Sequence, residues 1–364
     1  MRKVKVDLGN RKYDIVIGSG AVSRIPSAIK KARHTGPVVL VTDKTVKAKT
    51  FGVFRSAIGA IDNEIITVVV PPSEKAKSIG VFTDTAQKIA VKTRGHKPLI
   101  LAVGGGVVGD LAGFVAATFR RGVPFIQVPT TLLAQVDSSI GGKVGIDLPE
   151  AKNLMGAFWQ PKEVIIDIDF LDTLPARQVR NGLAEIIKYG IIEKKSFFEY
   201  LEERIDDVLL LDRTVLEKVI YECANIKAKV VEKDERDERD IRIALNFGHT
   251  LGHAIEAAAG YSDLYSHGEA ISIGMVLASE MAVRLEMLKP ETLQRIKSII
   301  INAGLPIGIR GLSTADIFAA YGFDKKFTKG SNRFVLPRKI GRVEVVEDIP
   351  EILIRTVVRE YVIR

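Results

Sequence analysis

The chain has 364 residues, 46% of them hydrophobic and 27% charged, a profile that excludes disordered and fibrous proteins and leaves room for two domains at ~100 to 200 residues each. Its formal charge is +9, yet the basic residues form no blocks and no reader motif, so a nucleic-acid partner is not expected. A single cysteine, Cys223, excludes an intrachain disulfide, the start MRKVKVDLGNRKYDIVIG has no signal-peptide core, and no uncharged apolar run approaches the ~18 residues that span a bilayer, so a cytoplasmic protein without a membrane partner is expected.

Residues 1 to about 170 alternate short β-branched runs with stretches of helical period: VKVDL, YDIVIG, VVLVT, ITVVV, PLILAVG, FIQVP and VIIDI are the strand candidates. Strand alternating with helix predicts a mostly parallel, helix-covered sheet of Rossmann-like α/β type, assigned to residues 1–172. From about Pro175 the β-branched runs nearly vanish. Helical patterns follow near 176–190, 208–232, 249–260 and 268–287, then one ended by Gly304 and Pro306; FVLPRKIGRVEVV alone reads as a strand pair. Residues 173–364 are therefore expected to form a mainly α-helical domain, with a cleft between the domains as the default site.

Within the first half, LILAVGGGVVGDLAGFVAATF runs an apolar strand into Gly104, Gly105 and Gly106 just before a helix pattern. Bare backbone N–H groups at a helix start suit a pyrophosphate, although the pattern is not GxGxxG and a purely structural turn, with Gly109 serving helix packing, remains open. Asp43 ends VVLVTD, where a second strand would offer a carboxylate to a ribose hydroxyl or simply cap the next helix. The stretch VPTTLLAQVDSSIGGKVGIDLPEAKNLMGAFWQP concentrates Thr130, Thr131, Asp137, Ser138, Lys143, Lys152 and Asn153 after a buried strand. Long polar loops with apolar residues between are usually functional.

In the second half, NFGHTLGH puts His249 and His253 four residues apart, and His267 follows in YSHGEA; His34 and His96 stand alone. On a helix, residues four apart share a face. The spacing is that of HExxH, but Thr250 stands where that motif has its glutamate, so metal ligation and a core or capping role both stay open.

GGGVVGDLAGFVAATFRRGV, VPTTLLAQVDSSIGGKVGID, KNLMGAFWQP, GLAEIIKYG, LNFGHTLGHAIEA and HGEA, in this order, resemble the 3-dehydroquinate synthase family over nearly the whole chain. The resemblance implies a nucleotide-binding domain followed by a helical metal domain, usually in a homodimer. It implies conversion of the sugar acid phosphate DAHP to 3-dehydroquinate and phosphate, using NAD and a divalent metal, zinc or else cobalt. Transient oxidation at C5, phosphate elimination, reduction, ring opening and aldol closure make up that reaction. By the same resemblance Glu185, His249 and His267 hold the metal, and His253 handles substrate protons. Asp137, Lys143, Asn153, Lys188, Lys227, Arg242, Asn246 and His253, with one of Lys325 and Lys326, contact substrate, and Arg121 reaches the partner's phosphate site. NAD falls to Asp43, Glu74, Lys77, Gly105, Gly106, Val107, Val108, Asp110, Thr130, Thr131, Ser138, Lys152 and Thr173.

Two departures from the family pattern stand out. Ser73 replaces the glycine before Glu74, and KDERDERDIRIALN is one residue longer than usual and lacks its glycine. As a bare charge run, Glu232 to Asp240 reads as a solvated loop. Another sugar phosphate cyclase, a metal-dependent polyol dehydrogenase and a non-catalytic NAD module are the alternatives; Arg242, Asn246 and His253, placed to read a substrate carboxylate, favour the dehydroquinate synthase.

Overall fold

A computed structural model describes residues 1–149, 151–322 and 332–363, so Lys325 and Lys326 lie outside the described residues. Two units are resolved by packing, Met1–Gln178 with Arg213–Arg236 and Val179–Asp212 with Asp237–Arg364. The first unit contains β1 (Arg2–Val6), β2 (Tyr13–Gly18), α1 (Ile25–Lys31), β3 (Val38–Asp43), α2 (Lys44–Gly59), β4 (Ile65–Val70), α3 (Ile79–Lys92), β5 (Leu99–Gly104), α4 (Gly106–Thr118), β6 (Phe125–Pro129), β7 (Lys143–Leu148), β8 (Ala151–Phe158) and β9 (Glu163–Asp167). Next come α5 (Ala176–Ile192) and α6 (Lys195–Leu209) of the second unit, α7 (Arg213–Lys233) of the first, then α8 (His249–Ala258), α9 (His267–Arg284), α10 (Pro290–Asn302), α11 (Thr314–Gly322), β10 (Arg333–Lys339), β11 (Arg342–Glu347) and α12 (Glu351–Glu360).

The seven expected strands form one sheet in the order β1-β2-β9-β6-β5-β3-β4. Only the β1–β2 edge is antiparallel; the other pairs run parallel. Its central strands read as unbroken apolar runs because both faces are covered. The pleat sends Val38, Leu40, Leu99, Leu101 and Val103 into one core, and Val39, Val41, Ile100 and Ala102 into the other. After β3 the chain moves outward to β4, whereas after β5 it moves the opposite way to β6. The carboxyl ends of β3 and β5 therefore flank a topological switch point, the usual ligand position in open α/β sheets.

Three elements differ from the sequence reading. The polar stretch expected as a long loop contains a π-type helical turn at Ala134–Ser138 and the antiparallel β7–β8 hairpin. The helical pattern expected over 208–232 is two helices, α6 and α7, broken where Leu211 takes φ +60°. Residues 213–236 fold with the sheet unit, where α7 packs on β1, β2 and the 134–138 turn, so the unit division is not the contiguous one drawn at 172/173.

In the helical unit α9 is the centre. Its Ile271, Ile273, Met275, Val276, Leu277 and Met281 are fully buried, each such side chain contributing about 1.5–3 kcal/mol. It packs on α8, α10, α12 and β10. The α8–α9 crossing is close enough that a Cβ on Gly274 would lie 1.9 Å from the Gly248 carbonyl oxygen. Gly248 itself has φ +79° and starts α8, so two glycines fix where His249 enters. No helix among the described residues is long and apolar enough to cross a membrane.

Candidate functional site

In the sheet unit, the Gly104–Gly106 turn joins β5 to α4, and Gly105 caps α4 without any side-chain hydrogen bond. Gly105 has an ordinary φ of −71°, so it is needed for space: its Cβ would meet Thr131 Cγ2 at 3.0 Å, and one on Gly106 would meet Ser138 Oγ at 2.8 Å. Thr130 Oγ1 and Ser138 Oγ are buried with no hydrogen-bond partner among the described residues. A helix N-terminus, a side-chain-free cradle and two orphan hydroxyls fit the phosphates of a dinucleotide. Val107 and Val108 start α4, and Thr131 supports the next turn by accepting from the Ala134 N–H at 3.2 Å. Gly109 faces the Gln127 side chain, a packing contact of α4 on β6. Asp43 acts as the N-cap of α2, accepting from Thr45 and Val46 at 2.7 and 2.9 Å. Thr173 donates to the Phe170 carbonyl at 3.1 Å.

A second cluster surrounds Lys77, which is 4% exposed. Its Nζ lies 2.9 Å from Asp110, 3.7 Å from Glu74 and 3.8 Å from Asp147, and also donates to Asn153. Burial alone would lower the Lys77 pKa, but Asp110 and Glu74 outweigh it and raise it. Lys152 stands 3.9 Å from Glu74. Ser73 takes φ +82°, so it keeps the glycine-like backbone before Glu74 at a strain of about 1–3 kcal/mol. Lys227, nearly buried, holds the Asp137 carboxylate at 2.7 Å and its carbonyl at 2.8 Å. Lys143 is exposed at the start of β7. Arg121, also exposed, has φ +63° in a turn where Gly122 lies against Trp159.

In the helical unit Glu185 and Lys188 lie three residues apart on α5, both with side chains at most 2% exposed, and their ends form an ion pair. Glu185 Oε1 lies 3.4 Å from His249 Nε2 and 3.5 Å from His267 Nε2. Ligand atoms of these three residues all lie within 4.8 Å of one another. The outer ring nitrogens are tied down: His249 Nδ1 is 3.1 Å from the Phe247 carbonyl and His267 Nδ1 is 3.1 Å from Glu256. Burial would raise the Glu185 pKa, but Lys188 and His267 outweigh it and hold it at about 2. Burial would lower that of His267, yet its contacts with Glu185 and Glu256 raise it to about 10. Burial, with the charges of Lys188, His253 and His267, holds His249 well below the ordinary value.

One buried carboxylate and two inward imidazole nitrogens form a donor set suited to a divalent transition metal with a coordination position left open. His253 is exposed, its ring centroid 5.2 Å from that of His249. Arg242 is buried in the short helix Ile241–Asn246, and Asn246 is half-buried at its end. The charge run is solvated only in part: Asp234 is buried, and Glu235 pairs with Arg11 at 2.5 Å and Gln160 at 3.1 Å. Sequence reasoning missed Glu256 and Asn181, whose Oδ1 accepts the Gly268 N–H at 2.5 Å and anchors the start of α9. Glu256 had a signal, since it lies seven residues after His249 on the same helix face.

The fold is shared with solved structures over nearly the whole chain. It is similar to a 2-deoxy-scyllo-inosose synthase crystallised with carbaglucose-6-phosphate, NAD+ and Co2+ (TM-score 0.89, 24% identity, 99% of this chain and 100% of that one). A 2-epi-5-epi-valiolone synthase from Streptomyces hygroscopicus with NAD+ and Zn2+ bound is also similar (TM-score 0.85, 27% identity, 95% of each chain). Residues 67–181 match the family model for the N-terminal part of 3-dehydroquinate synthase, and residues 182–327 the model for its C-terminal part. A 3-dehydroquinate synthase of Desulforamulus reducens is 44% identical over 352 residues, 96% of this chain and 98% of that protein. The chain belongs to the 3-dehydroquinate synthase family.

Proposed function

We propose that the chain is a phosphorus–oxygen lyase that converts DAHP to 3-dehydroquinate and phosphate, a step of the shikimate pathway that leads to aromatic amino acids. The reading is carried by one observation: Glu185, His249 and His267, far apart in sequence, converge through their metal-binding atoms in a chain of this family. They would hold one zinc or cobalt ion, and the Gly104–Gly106 turn would hold NAD. When bound, NAD supplies a hydride acceptor and donor at C5 of the substrate, and the metal a Lewis acid at the oxygen there.

The remaining work belongs to side chains. Lys188, Arg242 and Asn246 supply donors for substrate anions, and Asp137, Lys143, Asn153 and Lys227 are further candidate contacts. His253 stays off the metal, and an unligated imidazole beside a metal site is free to carry protons. Asp43, Glu74, Lys77, Asp110, Thr130, Thr131, Ser138, Lys152 and Thr173 serve the nucleotide. The protein works in the cytoplasm as a homodimer, with Arg121 directed to the partner's phosphate. DAHP given to the metal- and NAD-loaded protein should release phosphate without accumulating NADH. Accumulation of NADH without phosphate would mark a dehydrogenase, and turnover of a neutral heptulose phosphate in place of DAHP another cyclase.

A further inference from the structure

Glu256 lies one turn after His253 and two turns after His249 on α8, and its side chain is 8% exposed. Leaving a carboxylate this deep costs several kcal/mol unless charge and hydrogen bonds compensate. Its Oε2 sits 3.1 Å from His267 Nδ1, while Nε2 of the same ring faces Glu185 at 3.5 Å. The two nitrogens of His267 thus meet two different carboxylates. His249 has a parallel arrangement, but there the outer acceptor is the Phe247 backbone carbonyl, which no side-chain substitution removes. An acceptor at Nδ1 requires that nitrogen to carry the hydrogen, which leaves the lone pair of the neutral ring at Nε2.

We propose that Glu256 is a positioning residue of the metal centre: its carboxylate accepts the Nδ1–H of His267 and so fixes the tautomer and ring rotation in which Nε2 donates to the ion held with Glu185 and His249. This inference rests on the metal site proposed above. A different arrangement is also within reach, since His253, Glu256 and His267 form a second group of closely spaced ligand atoms. That arrangement would use Nδ1 of His267 as a donor to metal and make Glu256 a ligand. The two arrangements demand opposite tautomers of His267.

The test is titration of the metal-free full-length protein with Zn2+ and Co2+ against a chromogenic chelator, with the Co2+ absorption spectrum recorded. Wild type should take up one ion; if it takes up none, the metal site itself fails, separately from the role of Glu256. Glu256→Ala should still take up one ion but bind it ~10- to 100-fold more weakly, as removal of an outer carboxylate partner does, and its Co2+ spectrum should shift. Glu256→Gln keeps an acceptor oxygen at similar reach, so it should recover part of that loss. It also carries the test alone if Glu256→Ala fails to fold, as judged by circular dichroism and thermal unfolding. A purely packing role predicts full recovery by Gln and an unshifted spectrum. Affinity in Glu256→Gln equal to wild type would therefore overturn the proposal. So would a loss of metal in His253→Ala as large as in Glu256→Ala, which would assign the ion to the second group.

Discussion

The two units build their sites in opposite ways. In the sheet unit the candidate nucleotide residues follow strands directly: Asp43 ends β3, Gly104 ends β5, and Thr130 follows β6. Parallel pairing brings those ends together, and the glycines at the turn leave space for a ligand. In the helical unit the three candidate ligands come from α5, α8 and α9, and glycines let helix backbones touch. Sites that follow strands can be read from local sequence, whereas sites made by helix crossings depend on packing that no local pattern contains.

The largest effects should come from the two histidines of NFGHTLGH, because they separate ligand from proton carrier. His249→Ala should lose the metal and all measurable turnover. His253→Ala should keep both zinc and NAD while turnover falls ~100- to 10,000-fold. Zinc content, NAD affinity and phosphate release measured on both variants check this. If His253→Ala lost its zinc or kept full turnover, the division would collapse.

A comparably severe but different failure is expected in the sheet unit. Gly105→Val places its side chain on Thr131 and in the cradle, so NAD binding should vanish while metal uptake by the helical unit continues. The φ of −71° at Gly105 suits valine, so the protein should still fold. A normal NAD titration of this variant would show that the cradle is not the phosphate site.

How much of this was legible follows the same division. The central strands announced themselves because burial on two faces leaves no polar alternation. The β7–β8 hairpin did not, since Gly145 and Gly156 interrupt its alternation where the two backbones approach too closely for side chains. The break between α6 and α7 falls in VLLLDR without glycine or proline, and Leu211 makes the left-handed turn instead. Clustering of His249, His253 and His267 was visible in the sequence. Their inclusion of Glu185 came from family resemblance, and Glu256 was lost because a glutamate on a helix is ordinarily a surface residue. Ser73 departs from the family pattern, and the structure gives it φ +82°, a backbone region that favours glycine, at the cost of strain.

A smaller effect tests the claim about glycines. Gly274→Ala drives a methyl group against the Gly248 carbonyl at 1.9 Å, and because the methyl is fixed to one backbone and the carbonyl belongs to another, the clash is relieved only if the helices part. Overpacking of this kind costs typically about 1–3 kcal/mol, and because His249 starts the displaced helix, metal affinity should fall as well. Gly52→Ala on α2 meets nothing within 4 Å and should stabilise by about 0.5–1 kcal/mol. Denaturant unfolding of both variants, with metal titration, measures the contrast. If Gly274→Ala were neutral, the helix crossing would not be what fixes the histidines.

The smallest effect asks how far the helical unit acts as one network. Glu280 lies on α9, thirteen residues and so ~20 Å beyond His267. It accepts from the Tyr361 hydroxyl at 2.7 Å and from Arg284 at 3.3 Å, with Lys297 at 3.6 Å. Burial would raise its pKa, but Tyr361 and Arg284 outweigh burial and lower it below 4.5. A carboxyl whose folded pKa is depressed stabilises the protein above its unfolded value and loses that contribution as pH falls through the folded one. Glu280→Gln should therefore cost up to about 1 kcal/mol at pH 7, and the gap to wild type should narrow steadily below pH 4.5. Metal affinity should not change, because the Glu280 contacts anchor the far end of α9, whereas Gly268 and Asn181 hold the end that carries His267. Thermal unfolding across pH, paired with metal titration at pH 7, reads both. A drop in metal affinity in Glu280→Gln would mean that α9 transmits strain along its whole length, and that the site depends on the entire helical unit instead of on its crossing alone.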